Sequence, residues 1–198
     1  MNIAKFKKII INKLNTELPP SMYYHGAHHT LEVLNVCNAY IKRLKLNSKD
    51  AHLLRTAALL HDTGFIWNNA NHEETGVSFS REILPDWGFN KNEIDQIVNM
   101  IMATKIPQNP QNLLEEILCD ADLDYLGTNR FLTIGETLYR ELLTLNVLEN
   151  EDNWDKIQIN FLSTHRYHTS YAKKYREPIK RIHLAEIYRK RELAIHKL

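Results

Sequence analysis

The chain has 198 residues, 43% of them hydrophobic, with only six glycines, six prolines and two cysteines. That length suits a single domain with a substantial core, and so little Gly and Pro excludes both a turn-rich β-sandwich and a disordered chain. A net charge of +1 leaves no global field to draw the protein to nucleic acid or to a membrane surface. Hydrophobic spacing is helical nearly throughout. Ile3, Phe6, Ile10 and Leu14 form a stripe that stops before Pro19-Pro20, and Leu31, Leu34, Val36, Ala39, Tyr40 and Ile41 carry a second helix. Ser48 is the expected N-cap of a third, with Asp50 complementing the helix dipole in its first turn. A fourth helix is predicted over residues 73–84, ending before Pro85, and Ile94, Ile97, Val98 and Ile101 mark a fifth. After the Pro107–Pro110 loop comes a short helix over 113–118, and beyond Gly127 lie helical stretches at about 130–148, 154–165 and 177–196.

The expectation is an all-α fold forming one domain over residues 1–198, with a helical core at about 22–130 and C-terminal helices from 130 packed on it. The N-terminal apolar run is three isoleucines before Asn12, too short for a signal core or a membrane span. Cys37 and Cys119 lie in apolar helical contexts and suit buried thiols in a reduced compartment, so a cytoplasmic protein is expected. Trp67, Trp87 and Trp154 are expected at the core or its edge.

Three segments offer metal ligands in these apolar helical settings. The first is Tyr24-His25-Gly26-Ala27-His28-His29, the second His61-Asp62, and the third Asp120-Ala121-Asp122-Leu123-Asp124. Consecutive side chains on a helix diverge by about 100°, so His61 and Asp62 converge on one ion only where the helix ends. Thr63-Gly64 supplies the expected turn, with Gly64 supplying backbone freedom. Spacing does not choose among Asp120, Asp122 and Asp124. Imidazoles and carboxylates without a thiolate suit Mn²⁺, Fe²⁺, Co²⁺, Ni²⁺, Zn²⁺ or Mg²⁺. Four residues separate His25 from His29; on a helix they would share a face, against the plainer alternative of a surface-turn histidine. His28 points elsewhere in that register.

At these residues the chain resembles the His-Asp (HD) superfamily of metal-dependent phosphohydrolases. Its pattern of a first His, a His-Asp dyad and a distant Asp falls on His29, His61, Asp62 and Asp122, so the resemblance selects Asp122 as the ligand. Tyr24-His25, His61-Asp62-Thr63-Gly64-Phe65 and Asp120-Ala121-Asp122-Leu123 look like the family's flanking sequences. A branch of predicted metal-dependent HD phosphohydrolases is similar further along, through Glu73-Glu74, Ala103-Thr104-Lys105, Arg140-Glu141 and Tyr167-His168-Thr169.

The resemblance implies an HD-type helical bundle, one divalent ion and hydrolysis of a small phosphorylated substrate, a nucleotide among the options. The catalytic set would be Asp62 with His25 or Glu73 moving protons. Lys105 and Arg140 are candidate phosphate contacts, against the alternative of solvated helix surface. His72 and Asp120 are candidates to orient the ligands from behind, while Asp124 is expected to be solvated. Binuclear members carry one further ligand near His72 and another where Met102-Ala103 stands here, so the resemblance favours one metal while His72 leaves a second open, and Phe65 replaces the Glu of the branch that hydrolyses deoxynucleoside monophosphates.

The rival function is a non-catalytic helical domain that senses metal or nucleotide. The basic C-terminal stretch, including Lys173, Lys174, Arg176 and Arg189, is interrupted by glutamates. It reads as a salt-laced exposed face, so nucleic acid and membrane are not expected partners. The pair His165 and His168 is read as packing.

Overall fold

The computed structural model describes residues 2–195, and every regular element among them is helical. The first compact unit runs up to Asp122 and the second begins at Leu123. The first holds α1 (Ile3–Glu17), α2 (Ala27–Leu44), α3 (Ser48–Leu60), α4 (His72–Ile83), α5 (Lys91–Ala103) and α6 (Leu113–Asp122), with 3-10 turns at Thr63–Ile66 and Leu84–Trp87. The second holds a 3-10 turn at Asp124–Gly127 and then α7 (Phe131–Thr144), α8 (Glu151–Thr164), α9 (Ser170–Tyr175) and α10 (Glu177–Ile195). The expected last helix extended to His196, which lies outside the described residues. Among the described residues no helix is long and apolar enough to cross a membrane.

In the first unit α3 is the central element. It packs against α1, α2, α5 and α6, which is why it is apolar nearly all round rather than on one stripe. Leu54, Ala57, Ala58, Leu59 and Leu60 are fully buried, and each leucine contributes about 1.5–3 kcal/mol relative to an exposed one. The cap of α3 is Asn47 rather than Ser48: its Oδ1 accepts from Asp50 N at 2.9 Å. Asn47 also donates to the Asp50 carboxylate at 2.8 Å, a reach that a serine hydroxyl lacks.

The second helix starts four residues earlier than its apolar stripe, at Ala27, with Gly26 as N-cap. α6 runs on from Leu118 to Asp122. α1 presents Phe6, Ile10 and Leu14 to the core, and Phe6 meets Trp87 edge-on with ring centroids 4.9 Å apart. Trp154 is buried in α8's unit, whereas Trp67 is half exposed, with Lys13 Nζ 5.1 Å from its ring. In the second unit α10 packs on α8, α9 and the Asp124–Gly127 turn. The helix predicted over 130–148 stops at Thr144, because Asn146 adopts a left-handed conformation (φ 56°). The short α9 was not anticipated; Thr169 caps it by accepting from Ala172 N.

Gly64 has no positive φ, so its role is not the left-handed turn expected of it. A Cβ there would lie 1.8 Å from His72 O and 2.8 Å from Gly76 N. The residue is small because the first turn of α4 crosses the dyad turn backbone to backbone. Gly64→Ala is expected to cost about 3 kcal/mol or more, through overpacking against immovable main chain. Gly88→Ala, where φ is +82° and nothing lies within 4 Å, should cost only about 1 kcal/mol, the strain of a left-handed alanine. Urea unfolding of the two variants checks the contrast.

Candidate metal centre

The helix α3 ends where the dyad begins. His61 still has helical dihedrals (φ −56°, ψ −37°), but Asp62 departs to φ −106°, ψ 6°. Thr63 Oγ1 donates to Leu60 O at 2.7 Å, satisfying a carbonyl that the ending helix leaves open. Phe65 N donates to Asp62 O at 3.1 Å, tightening the next turn. This break lets two consecutive side chains point into one centre. His29 comes from the first turn of α2 and Asp122 is the last residue of α6.

The four side chains meet. Asp122 Oδ1 is 2.9 Å from His29 Nε2 and 3.5 Å from His61 Nε2, while Asp62 Oδ2 is 3.4 and 3.2 Å from the same two nitrogens. The nitrogens themselves are 3.4 Å apart. Ala58 O lies 2.9 Å from His61 Nδ1, and a carbonyl only accepts. Nδ1 therefore carries a proton, and the lone pair of the neutral ring sits on Nε2, facing the centre.

Asp62 Oδ2 is buried and accepts no hydrogen bond, an arrangement that is costly unless a cation completes it. Burial opposes charge on His61, but the Asp62 and Asp122 carboxylates outweigh it and hold the imidazole well above the ordinary histidine range. Burial likewise pushes both carboxyls up, and the histidines reverse this. Asp122 falls to about 2, mainly through hydrogen bonds to His29 and His61, and Asp62 is held far below the usual range, chiefly by the charge of His61.

A family model, the HD domain, matches residues 26–124, half of the chain, and spans His29, both dyad residues and Asp122. The chain belongs to the HD-domain family. No curated protein and no solved structure matches it. HD domains bind divalent metal ions, and here ligand atoms of His29, His61 and Asp122 all lie within 4.8 Å of one another. The orphaned Asp62 oxygen and the inward lone pair of His61 fit such an ion. The nearby thiol does not compete for it: burial first, and the charge of Asp122 second, push Cys37 up and keep it protonated.

The remaining candidates are divided between the two units. Beside the HD cluster in the first unit stand His25, His72 and Glu73. His25 precedes the α2 N-cap, so the shared helix face expected of His25 and His29 does not exist. The ring is nevertheless 6.1 Å from that of His29, and its charge acts on Asp62. His28 is exposed, its ring folded over Gly26. His72 Nε2 lies 4.0 Å from Asp62 Oδ1 and 3.2 Å from Glu73 Oε1, and Glu73 is buried rather than lying out in solvent as a first-turn dipole partner would.

Asp120 is fully buried on α6. Lys105 is partly exposed and ion-paired with Glu74, which raises the lysine and lowers the glutamate. The other candidates belong to the second unit. Arg140 is exposed on α7. Asp124 is not solvated as expected: it is buried and takes a 2.7 Å ion pair from Arg176 Nε, because the chain leaves the helix after Asp122 and the periodicity that grouped it with Asp120 ends there. His165 is buried beside Lys180, whose Nζ donates to His165 O at 2.6 Å, a packing role. Spacing gave no sign of Phe65, whose ring stacks on both His25 and His72.

Two outcomes are expected. Asp122→Asn should weaken divalent metal binding by about a hundredfold or more, while Asp124→Asn leaves it unchanged, as read by Mn²⁺ titration. The second concerns pH. His61 is held above its unfolded value, so in metal-free protein its stabilising contribution is complete below about pH 6.5 and is lost as pH rises through the raised value. Asp62 and Asp122 are held below theirs, so their contribution is present above about pH 4 and lost on acidification. Metal displaces the His61 proton, so the metal-induced rise in Tm should grow with pH, with affinity climbing about tenfold per unit while His61 remains protonated. Melting curves with and without Mn²⁺ across the neutral range check this.

Proposed function

We propose that this HD domain is a metal-dependent phosphohydrolase acting on a small phosphate ester or a nucleotide. HD domains are generally metal-dependent phosphohydrolases. The observation that carries the reading for this chain is the convergence of two imidazole nitrogens and two carboxylate oxygens on one buried point, with one oxygen left without a hydrogen bond.

A bound divalent ion of the Mn²⁺, Fe²⁺, Co²⁺, Ni²⁺, Zn²⁺ or Mg²⁺ type supplies positive charge for phosphoryl oxygens and lowers the pKa of water. The ligand residues are almost fully covered, and His25 and His72 are the more accessible neighbours. The phosphoryl group therefore approaches from their side. Asn69 O, 3.3 Å from His72 Nδ1, keeps the proton there and leaves the lone pair of the neutral imidazole on Nε2, which lies 3.2 Å from Glu73 Oε1 and 4.0 Å from Asp62 Oδ1, in position to accept a proton from water. His25 donates an N–H to the leaving oxygen. Lys105, released from Glu74, is the cation proposed for the phosphate's remaining charge. The near-neutral chain supports a small substrate over a polyanion.

The test is an assay of the Mn²⁺-loaded protein against a panel of phosphomonoesters, phosphodiesters and nucleotides. Turnover is expected for at least one class and should drop to background in Asp62→Asn and Asp122→Asn. A compound that binds and raises Tm without being hydrolysed would instead make the domain a sensor.

A further inference from the structure

Phe65 has a role that its own chemistry does not supply. It sits on the 3-10 turn directly after Asp62, with its backbone N–H bonded to Asp62 O. Its ring stacks on His25 with centroids 4.1 Å apart and planes 26° off parallel, and on His72 at 3.8 Å and 18°. The two imidazoles come from separate segments, one ahead of α2 and one opening α4, yet their centroids are only 6.2 Å apart. Phe65 is 5% exposed, so it offers no face to a substrate, and a phenyl ring neither donates nor accepts a proton.

What the ring does is hold. Ring stacking is worth roughly 0.5–1.5 kcal/mol per pair beyond area burial, enough to favour one orientation of a partly exposed imidazole. The backbone adds to this constraint: the approach of Gly64 to His72 O fixes where α4 begins relative to the same turn. One four-residue turn thus sets Asp62 toward the ligand cluster and, through Phe65, sets His25 and His72 along the cluster's accessible side.

We infer that Phe65 is a positioning residue that holds His25 and His72 as a pair, and that this pair is the site's contact with the oxygens of a phosphate group. The inference rests on the phosphohydrolase reading for the identity of the anion. It assigns the imidazole pair, ahead of Lys105, to the anion's first contact.

The test compares wild type with Phe65→Leu, which keeps an apolar filler and removes the ring, and Phe65→Tyr, which keeps the ring. Mn²⁺ affinity should stay within about threefold in all three, showing an intact cluster. In the Zn²⁺-loaded protein the His25 and His72 ring protons should carry upfield ring-current shifts that Phe65→Leu abolishes and Phe65→Tyr keeps. Affinity for inorganic phosphate should fall about fivefold or more in Phe65→Leu. With a substrate from the panel, kcat should fall about tenfold and KM should rise in step with the weaker phosphate binding, and Phe65→Tyr should restore both.

Unmoved imidazole shifts in Phe65→Leu, or shifts lost with phosphate affinity and kcat unchanged, would overturn the inference. If wild type binds phosphate but hydrolyses nothing, the hydrolase reading fails while the inference stands or falls on the ring shifts and phosphate affinity. A Phe65→Leu protein that fails to fold is replaced by His25→Asn and His72→Asn, each of which should weaken phosphate binding without loss of Mn²⁺; unchanged phosphate affinity in both overturns the pairing.

Discussion

Two imidazole nitrogens, on His29 and His61, face each other 3.4 Å apart inside the first unit, and two carboxylates crowd the same point. The 2.9 Å contact between His29 Nε2 and Asp122 Oδ1 satisfies part of this arrangement, and Asp62 Oδ2 is still left without a hydrogen bond. Such a concentration of polar atoms in a helical core is unfavourable on its own. A divalent cation turns the same four groups from a liability into a set of ligands, and the helix ends of the first unit are arranged around that requirement.

That constraint explains why the local structure departs from regular helix where it does. α3 terminates at Leu60 because Thr63 closes the last carbonyl, Asp62 leaves the helical path, and the His61-Asp62-Thr63-Gly64 sequence is a weak helix former. α4 begins against Gly64, since only a residue without Cβ lets the two backbones meet. α6 stops at Asp122, so Asp120 stays in the helix interior while Asp124 turns to Arg176 in the second unit. Three aspartates at two-residue spacing thereby acquire different environments.

Much of this was legible in the sequence. Apolar periodicity gives the helices, and an imidazole and a carboxylate adjacent in the apolar α3 run mark the place where the helix must break. Asp122 was not legible from spacing alone, because the choice among Asp120, Asp122 and Asp124 depends on where α6 ends. The Asn47 cap and the burial of Glu73 depend on side-chain reach and on how α4 lies across the dyad turn, which periodicity does not encode. His25 was grouped with His29 on helical spacing, yet it reaches the cluster through a bend and a stack on Phe65. That contact joins segments far apart in the chain and leaves no local signal.

The most direct measurement is anomalous diffraction from crystals of the full chain soaked in Mn²⁺. The account predicts a single strong peak coordinated directly by His29 Nε2, His61 Nε2, Asp62 Oδ2 and Asp122 Oδ1. A peak held elsewhere, or these four atoms remaining in contact with one another and no ion among them at saturating metal, would contradict it.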